Sequence, residues 1–126
     1  VRAIDRRPRV LVIDDDPSLR AAYARILSAD YELSVAEDAI EALECLIAGE
    51  RFDAIVCDVM MPRLSGPDFH RRVTHLDHDA ASRIVFVTGG GSEAVQRALA
   101  ALPNRVLCKP IGAQELRDAV RQIVER

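Results

Sequence analysis

Three kinds of side chain in this sequence, carboxylate, hydroxyl and ammonium, could act together on a phosphoryl group. Asp14-Asp15-Asp16 follows the apolar run Val10-Leu11-Val12-Ile13, and Asp58 follows Ala54-Ile55-Val56-Cys57. Thr88 closes Ile84-Val85-Phe86-Val87 and leads into Gly89-Gly90-Gly91. Lys109-Pro110 follows Val106-Leu107-Cys108. Two carboxylates about 4 Å apart repel by roughly 4 kcal/mol at an effective dielectric of about 20. Asp14, Asp15 and Asp58 on one rim therefore call for a cation, and Lys109 offsets one charge, not three. Oxygen ligands suit a hard divalent ion such as Mg²⁺. Phosphoryl transfer proceeds by positioning and charge stabilisation around a loose transition state. Asp58 would be the carboxylate nucleophile. Asp14 and Asp15 would hold the metal directly or through water. Thr88 would donate its hydroxyl, Lys109 would supply a cationic donor, and Gly89 would admit close backbone approach.

Those residues can converge only if the runs before them lie side by side. The runs are short, apolar throughout and without polar alternation, as in parallel strands covered on both faces. Weaker runs at Leu33-Ser34-Val35-Ala36 and Val106-Leu107-Cys108 complete five. Helical spacing separates them. Leu19, Ala22, Tyr23, Ile26 and Leu27 form one stripe, opened by Asp16-Pro17, where Asp16 is the expected N-cap. Ile40, Leu43 and Ile47 form a second, with Asp38 and Glu41 spaced like a capping box. Phe69, Val73 and Leu76 form a third, headed by Ser65 and Asp68. Val95, Ala98, Leu99 and Leu102 form a fourth, and Leu116, Val120, Ile123 and Val124 a fifth. Five strand–helix units imply right-handed crossovers and a doubly wound α/β sheet. Ligands of such sheets bind at the carboxyl ends of the strands, where all the residues above fall. Alone, Asp58 would be a turn residue, Lys109 a surface charge and the glycines a turn; their joint placement carries the functional reading.

Composition narrows the class. The 126 residues suit one domain, with 1–8 as a polar, basic tail or linker stub and 9–126 as the domain. Apolar residues make up 49% and charged residues 29%, enough for a core and a hydrated surface. Seventeen basic against 20 acidic residues give a net charge of −3, which argues against direct nucleic-acid binding. No apolar run approaches the roughly 18 residues of a membrane span. The opening segment lacks an apolar signal core. Cys45, Cys57 and Cys108 form no disulfide or zinc pattern, which suggests a cytoplasmic chain, with Cys57 and Cys108 as buried thiols. His70, His75 and His78, on the third helix and its following loop, read as solvated. Arg71-Arg72 and Arg2, Arg6 and Arg7 read as exposed charges.

The sequence VLVIDDDP at Val10 to Pro17 resembles the acidic opening of response-regulator receiver domains. Asp58-Val59-Met60-Met61-Pro62 with Gly66 resembles their phosphoacceptor loop, and Val87-Thr88-Gly89 and Lys109-Pro110 their other signatures. The resemblance spans about residues 9 to 125. It implies a flavodoxin-like (βα)5 fold with strand order 2-1-3-4-5. It also implies Mg²⁺- or Mn²⁺-dependent phosphorylation of Asp58 by a histidine kinase or histidine phosphotransfer protein. The implied metal ligands are Asp15, Asp58 and the backbone carbonyl of Met60, with Asp14 acting through water. Thr88 and Lys109 would contact the phosphoryl group, and the response would spread to the fourth helix, fifth strand and fifth helix. Two copies could pair through those helices.

The sequence departs from the family at the next step. The family's switch aromatic lies three residues before the lysine, where this chain has Val106. A valine has one stiff torsion and no ring to swing. Leu102-Pro103-Asn104-Arg105 replaces the usual turn before the fifth strand, and Ile111-Gly112 opens the last helix with glycine as its N-cap. Thr88-Gly89-Gly90 and Pro103-Asn104-Arg105-Val106 are similar to receivers within hybrid sensor histidine kinases, which implies that the domain was cut from, or works beside, such a kinase. The alternative to a switch is a constitutive interaction module with an unused acceptor site. A turnover phosphotransferase would need a substrate-binding insertion, and the connections are too short for one. The chain is therefore expected to be a non-turnover acceptor.

Overall fold

The computed structural model describes residues 7–126. Residues 1–6, most of the expected tail, lie outside the described residues. Pro8 already belongs to the sheet margin, because its carbonyl accepts the Glu32 amide at 2.9 Å. Arg7 donates to the Ser28 carbonyl at 2.9 Å.

Five strands are present: β1 (Arg9–Ile13), β2 (Glu32–Ala36), β3 (Ala54–Asp58), β4 (Ile84–Thr88) and β5 (Val106–Cys108). Six helices accompany them: α1 (Pro17–Leu27), α2 (Ala39–Ile47), α3 (Gly66–Leu76), α4 (His78–Ser82), α5 (Glu93–Ala100) and α6 (Ala113–Val124). All strand pairs are parallel, and the order is β2-β1-β3-β4-β5, the flavodoxin-like arrangement expected. The core divides by strand alternation. Val10, Val12, Val56, Val85, Val87 and Leu107 face α1 and α6. Leu11, Ile13, Ile55, Ile84 and Phe86 face α2, α3, α4 and α5. Central β3 and β4 are buried at every residue, which is why their sequences are apolar without alternation.

The helix starts follow from capping chemistry. Asp16 accepts from the Ser18 amide at 2.8 Å and Asp38 from the Glu41 amide at 2.8 Å. The Glu41 carboxylate reaches back to the Glu37 amide at 3.2 Å, one residue before the cap. Ser65 caps α3, and Gly112 starts α6 without a side-chain bond.

Several expectations need correction. Helix α4 occupies the segment after His75 that reads as loop: Asp77 ends α3 and caps α4 through the Asp79 and Ala80 amides. Cys108 is exposed, because β5 is an edge strand with no neighbour beyond it. Strand β2, at the other edge, is likewise covered incompletely, and Val35 faces outward. Ile47 and Leu76, assigned to core stripes, are 67% and 50% exposed because they lie in the last turns of α2 and α3. They edge an open groove that includes Phe52 and Val73. His70 is half-buried rather than fully solvated: its ring lies 6.1 Å from that of Phe86, and burial pushes its pKa down. His75, His78, Arg71 and Arg72 are exposed as expected, whereas Arg2 and Arg6 fall outside the described residues.

Candidate functional site

The carboxyl ends of β1, β3, β4 and β5 bring the predicted residues to one rim. The Asp14 amide extends the β1–β2 ladder to the Ala36 carbonyl at 3.2 Å, which fixes its side chain inward, 1% exposed. Its Oδ1 accepts the Asp16 amide at 2.9 Å. Its Oδ2 is buried without a hydrogen-bond partner. Arg20, one turn into α1, donates to the Asp14 carbonyl at 2.7 Å. Asp58 is the last residue of β3 and 5% exposed; its Oδ1 faces the Met60 amide at 3.4 Å. The chain then turns sharply: the Val59 amide donates to Val87 at 3.0 Å and the Gly66 amide to Val59 at 2.9 Å. Gly66 permits this approach, since a Cβ there would lie 3.1 Å from the Val59 Cα and 3.2 Å from the Phe86 ring.

Lys109 enters from β5, its amide bonded to the Thr88 carbonyl at 2.8 Å. Its Nζ lies 3.5 Å from Asp58 Oδ1 and 3.9 Å from Asp14 Oδ2. The Lys109–Pro110 peptide is cis. An open cleft of about 350 Å³ is bounded by Asp14, Asp15, Asp58, Met60, Gly89 to Gly91 and Lys109. Thr88 does not line it. Its hydroxyl donates to the Gly90 carbonyl at 2.6 Å and accepts the Gly90 amide at 3.1 Å.

Electrostatics set the character of the cleft. Burial is the main cause raising the Asp58 pKa above its ordinary value; Asp14 adds to it and Lys109 opposes it. Burial likewise raises Asp14, against the Asp16 amide and Lys109, which lower it. Tyr23, beneath the rim, is pushed up to about 12 by burial, with Asp14 and Asp58 adding to it. Asp14, Asp15 and Asp58 each place a carboxylate oxygen within 4.8 Å of the others. Among the described residues they form the one set of three acidic, histidine or cysteine side chains close enough to share an ion. The unpartnered Asp14 Oδ2 and this all-oxygen donor set fit a hard divalent cation.

Val106 opens β5 opposite Phe86, half-buried against the core on the α5 side. Sequence reasoning missed two contacts at the rim. Arg20 supports the Asp14 backbone. Gln96, exposed on α5, donates to the Gly90 carbonyl at 2.7 Å. No sequence pattern distinguishes Gln96 from a solvated helix residue, because its partner is a backbone atom of a loop whose shape only the fold supplies.

Comparison with known proteins gives the same assignment. The response regulator receiver domain family matches residues 10–121. The response regulator MprA of Mycobacterium sp. strain KMS is 38% identical over 119 residues, covering 94% of this chain and 51% of that protein. This chain thus spans about half the length of the curated relatives it matches. A signal receiver domain of an HD domain-containing protein from Pseudomonas fluorescens Pf-5 superposes with a TM-score of 0.84 at 27% identity, covering 99% of this chain and 92% of that one. A response regulator receiver domain protein from Clostridium thermocellum gives 0.81 at 28% identity, covering 94% and 95%. With its acidic cleft, its strand order and these likenesses in agreement, the chain belongs to the response regulator receiver domain family.

Proposed function

We propose that this domain is a non-turnover phosphoacceptor, taking a phosphoryl group onto Asp58 from a phosphohistidine of a histidine kinase or histidine phosphotransfer protein. A carboxylate oxygen of Asp58 forms the new O–P bond while the N–P bond of the donor breaks and the imidazole leaves with its electron pair. Asp14, Asp15, Asp58 and the Met60 carbonyl would hold Mg²⁺ or Mn²⁺, which supplies charge neutralisation for the phosphoryl oxygens when bound. Lys109 Nζ, 3.5 Å from Asp58, orients the carboxylate and offers a cationic donor to the phosphoryl group. Thr88 supplies a further donor once its hydroxyl turns away from Gly90. The observation that carries this reading is the buried, unpartnered Asp14 Oδ2 beside Asp58 and Lys109, an acidic cleft incomplete in charge. The setting we assign is the cytoplasm; no helix among the described residues is long and apolar enough to cross a membrane.

Acetyl phosphate with Mg²⁺ is expected to add one phosphoryl group, seen by intact-protein mass spectrometry. Asp58→Asn abolishes the adduct. A wild-type protein that stays unmodified with the metal present refutes the assignment. A second reading, a constitutive interaction module, is favoured by Val106 at the position of the family's switching ring. Under that reading, amide shifts induced by beryllofluoride stay beside Asp58.

A further inference from the structure

We propose that the groove at the end of the sheet opposite the acidic cleft binds a small aliphatic monocarboxylate, its chain lying against Ile47 and Leu76 and its carboxylate held by Arg83 and Arg51. The inference stands apart from the phosphoacceptor reading of Asp58.

The groove opens where the central strands begin. Phe52, two residues before β3, lines it, and so does Arg83, the residue before β4. Asp58 closes β3, so about 13 Å of strand separates the groove from the cleft. The end of α2 contributes Ile47 and the end of α3 contributes Val73 and Leu76. Its volume is about 460 Å³, within the roughly 300–1,000 Å³ of small-molecule sites. Ile47 and Leu76 are large apolar side chains left in water at its edge. An aliphatic chain laid against both removes them from water, and the hydrophobic effect favours that burial.

Charge selects the head group. Arg83 is half-buried, and its Nε donates to the Phe52 carbonyl at 3.0 Å, which fixes the guanidinium at the groove. Among the described residues neither Arg83 nor Arg51 has an ion-pair partner. The two acids of the groove are engaged elsewhere. Glu50 pairs with Arg9 at 3.1 Å, and Asp77 Oδ1 accepts the Asp79 and Ala80 amides at 3.0 and 3.2 Å. An arginine fork matches a carboxylate in shape and charge. Glu50 and Asp77 still repel anions, so a singly charged head fits better than a doubly charged phosphate ester.

The test titrates the whole chain with octanoate, and separately with octanol, and follows backbone amide shifts. Octanoate is expected to give saturable shifts confined to residues 46–52 and 73–83. Octanol, with the same chain and no charge, should bind about tenfold more weakly, the scale of one hydrogen bond to a charged group. Arg83→Met keeps the aliphatic stem and should weaken octanoate about tenfold while leaving octanol unchanged. Arg51→Gln, at an exposed position, weakens octanoate selectively even where Arg83→Met fails to fold. Leu76→Ser, at a half-exposed position, weakens both ligands. Shifts that never saturate, or that fall mainly outside the groove, overturn the proposal. So does octanol binding as tightly as octanoate, or octanoate binding that survives the loss of either arginine unchanged.

Discussion

Removing one charge from the cleft should stabilise the metal-free domain, and Asp14→Asn is the cleanest way to do so. The substitution keeps the Oδ1 acceptor for the Asp16 amide and replaces the unpartnered Oδ2 by a neutral group. At the 4.8 Å limit of separation among the three acids, each like-charged partner repels Asp14 by about 3.5 kcal/mol at an effective dielectric of about 20. Lys109 at 3.9 Å attracts it by about 4 kcal/mol on the same scale. Asp58 alone nearly offsets the lysine. Asp15 is exposed and screened, so its share is small. Desolvation of a side chain 1% exposed decides the sign. The expected gain is about 1–2 kcal/mol at pH 7 in EDTA, or roughly 4–8 °C in Tm for a domain of this size. The pH dependence has a definite direction. The folded protein binds the Asp14 proton more tightly than the unfolded chain, so wild-type stability falls as pH rises from the ordinary value of 3.8 through the raised folded value. The advantage of Asp14→Asn should vanish below that window and be complete above it. Mg²⁺, if held as proposed, should reverse the order: at 100 times its Kd it would stabilise the wild type by about 2.7 kcal/mol, and the variant by less. Thermal melts across pH, with EDTA and with Mg²⁺, measure all of this. A variant less stable than wild type at pH 7 in EDTA refutes the electrostatic reasoning.

Three further outcomes test the scaffold. Gly66→Ala should cost about 1–3 kcal/mol in denaturant unfolding, because its Cβ meets the Val59 backbone and the Phe86 ring. Asp38→Ala should cost about 1–2 kcal/mol by losing the α2 cap and the ion pair with Arg63. Since the Glu41 amide, foremost, and Arg63 lower the Asp38 pKa, that difference should persist above pH 3.8 and shrink as pH falls through the lowered folded value. A thiol reagent should modify Cys108 in the folded protein, while Cys57, fully buried, reacts at least about 10³-fold more slowly because it waits for unfolding.

The rim was readable because each of its residues closes a strand or follows one within two positions, and a strand with two covered faces announces itself by unbroken apolarity. Asp58 after Ala54-Ile55-Val56-Cys57 could lie only where β3 ends. The caps were readable for a related reason: Asp16, Asp38 and Ser65 act within a few residues, so spacing alone specifies them. What escaped depends on neighbours distant in sequence. The apolarity of Val106-Leu107-Cys108 marks a strand but not an edge, so Cys108 was expected inside. His70 looks like any polar helix residue until β4 places Phe86 beneath it. Helix α4 was hidden because Asp77 closes one helix and opens the next, and its five residues are too few for a period. Thr88 was read as a donor to the phosphoryl group; the bond its hydroxyl makes to Gly90 was not foreseen, because it depends on a loop shape that three glycines leave open.

The weak anchoring of α5 bears on how far a signal can travel. A buried leucine is worth about 1.5–3 kcal/mol, and α5 buries one, Leu99. Helix α6, across the β5 edge, buries Leu116, Ala119, Val120 and Ile123 and packs with α1 against the opposite face of the sheet. Moving α6 would disturb several such contacts, more than a single hydrogen bond released at Gly90 can offset. Moving α5 by a fraction of a turn disturbs few. A response that starts at Thr88 should therefore concentrate on α5 and leave α6 in place. A partner that senses the phosphoryl group would then have to touch α5 directly.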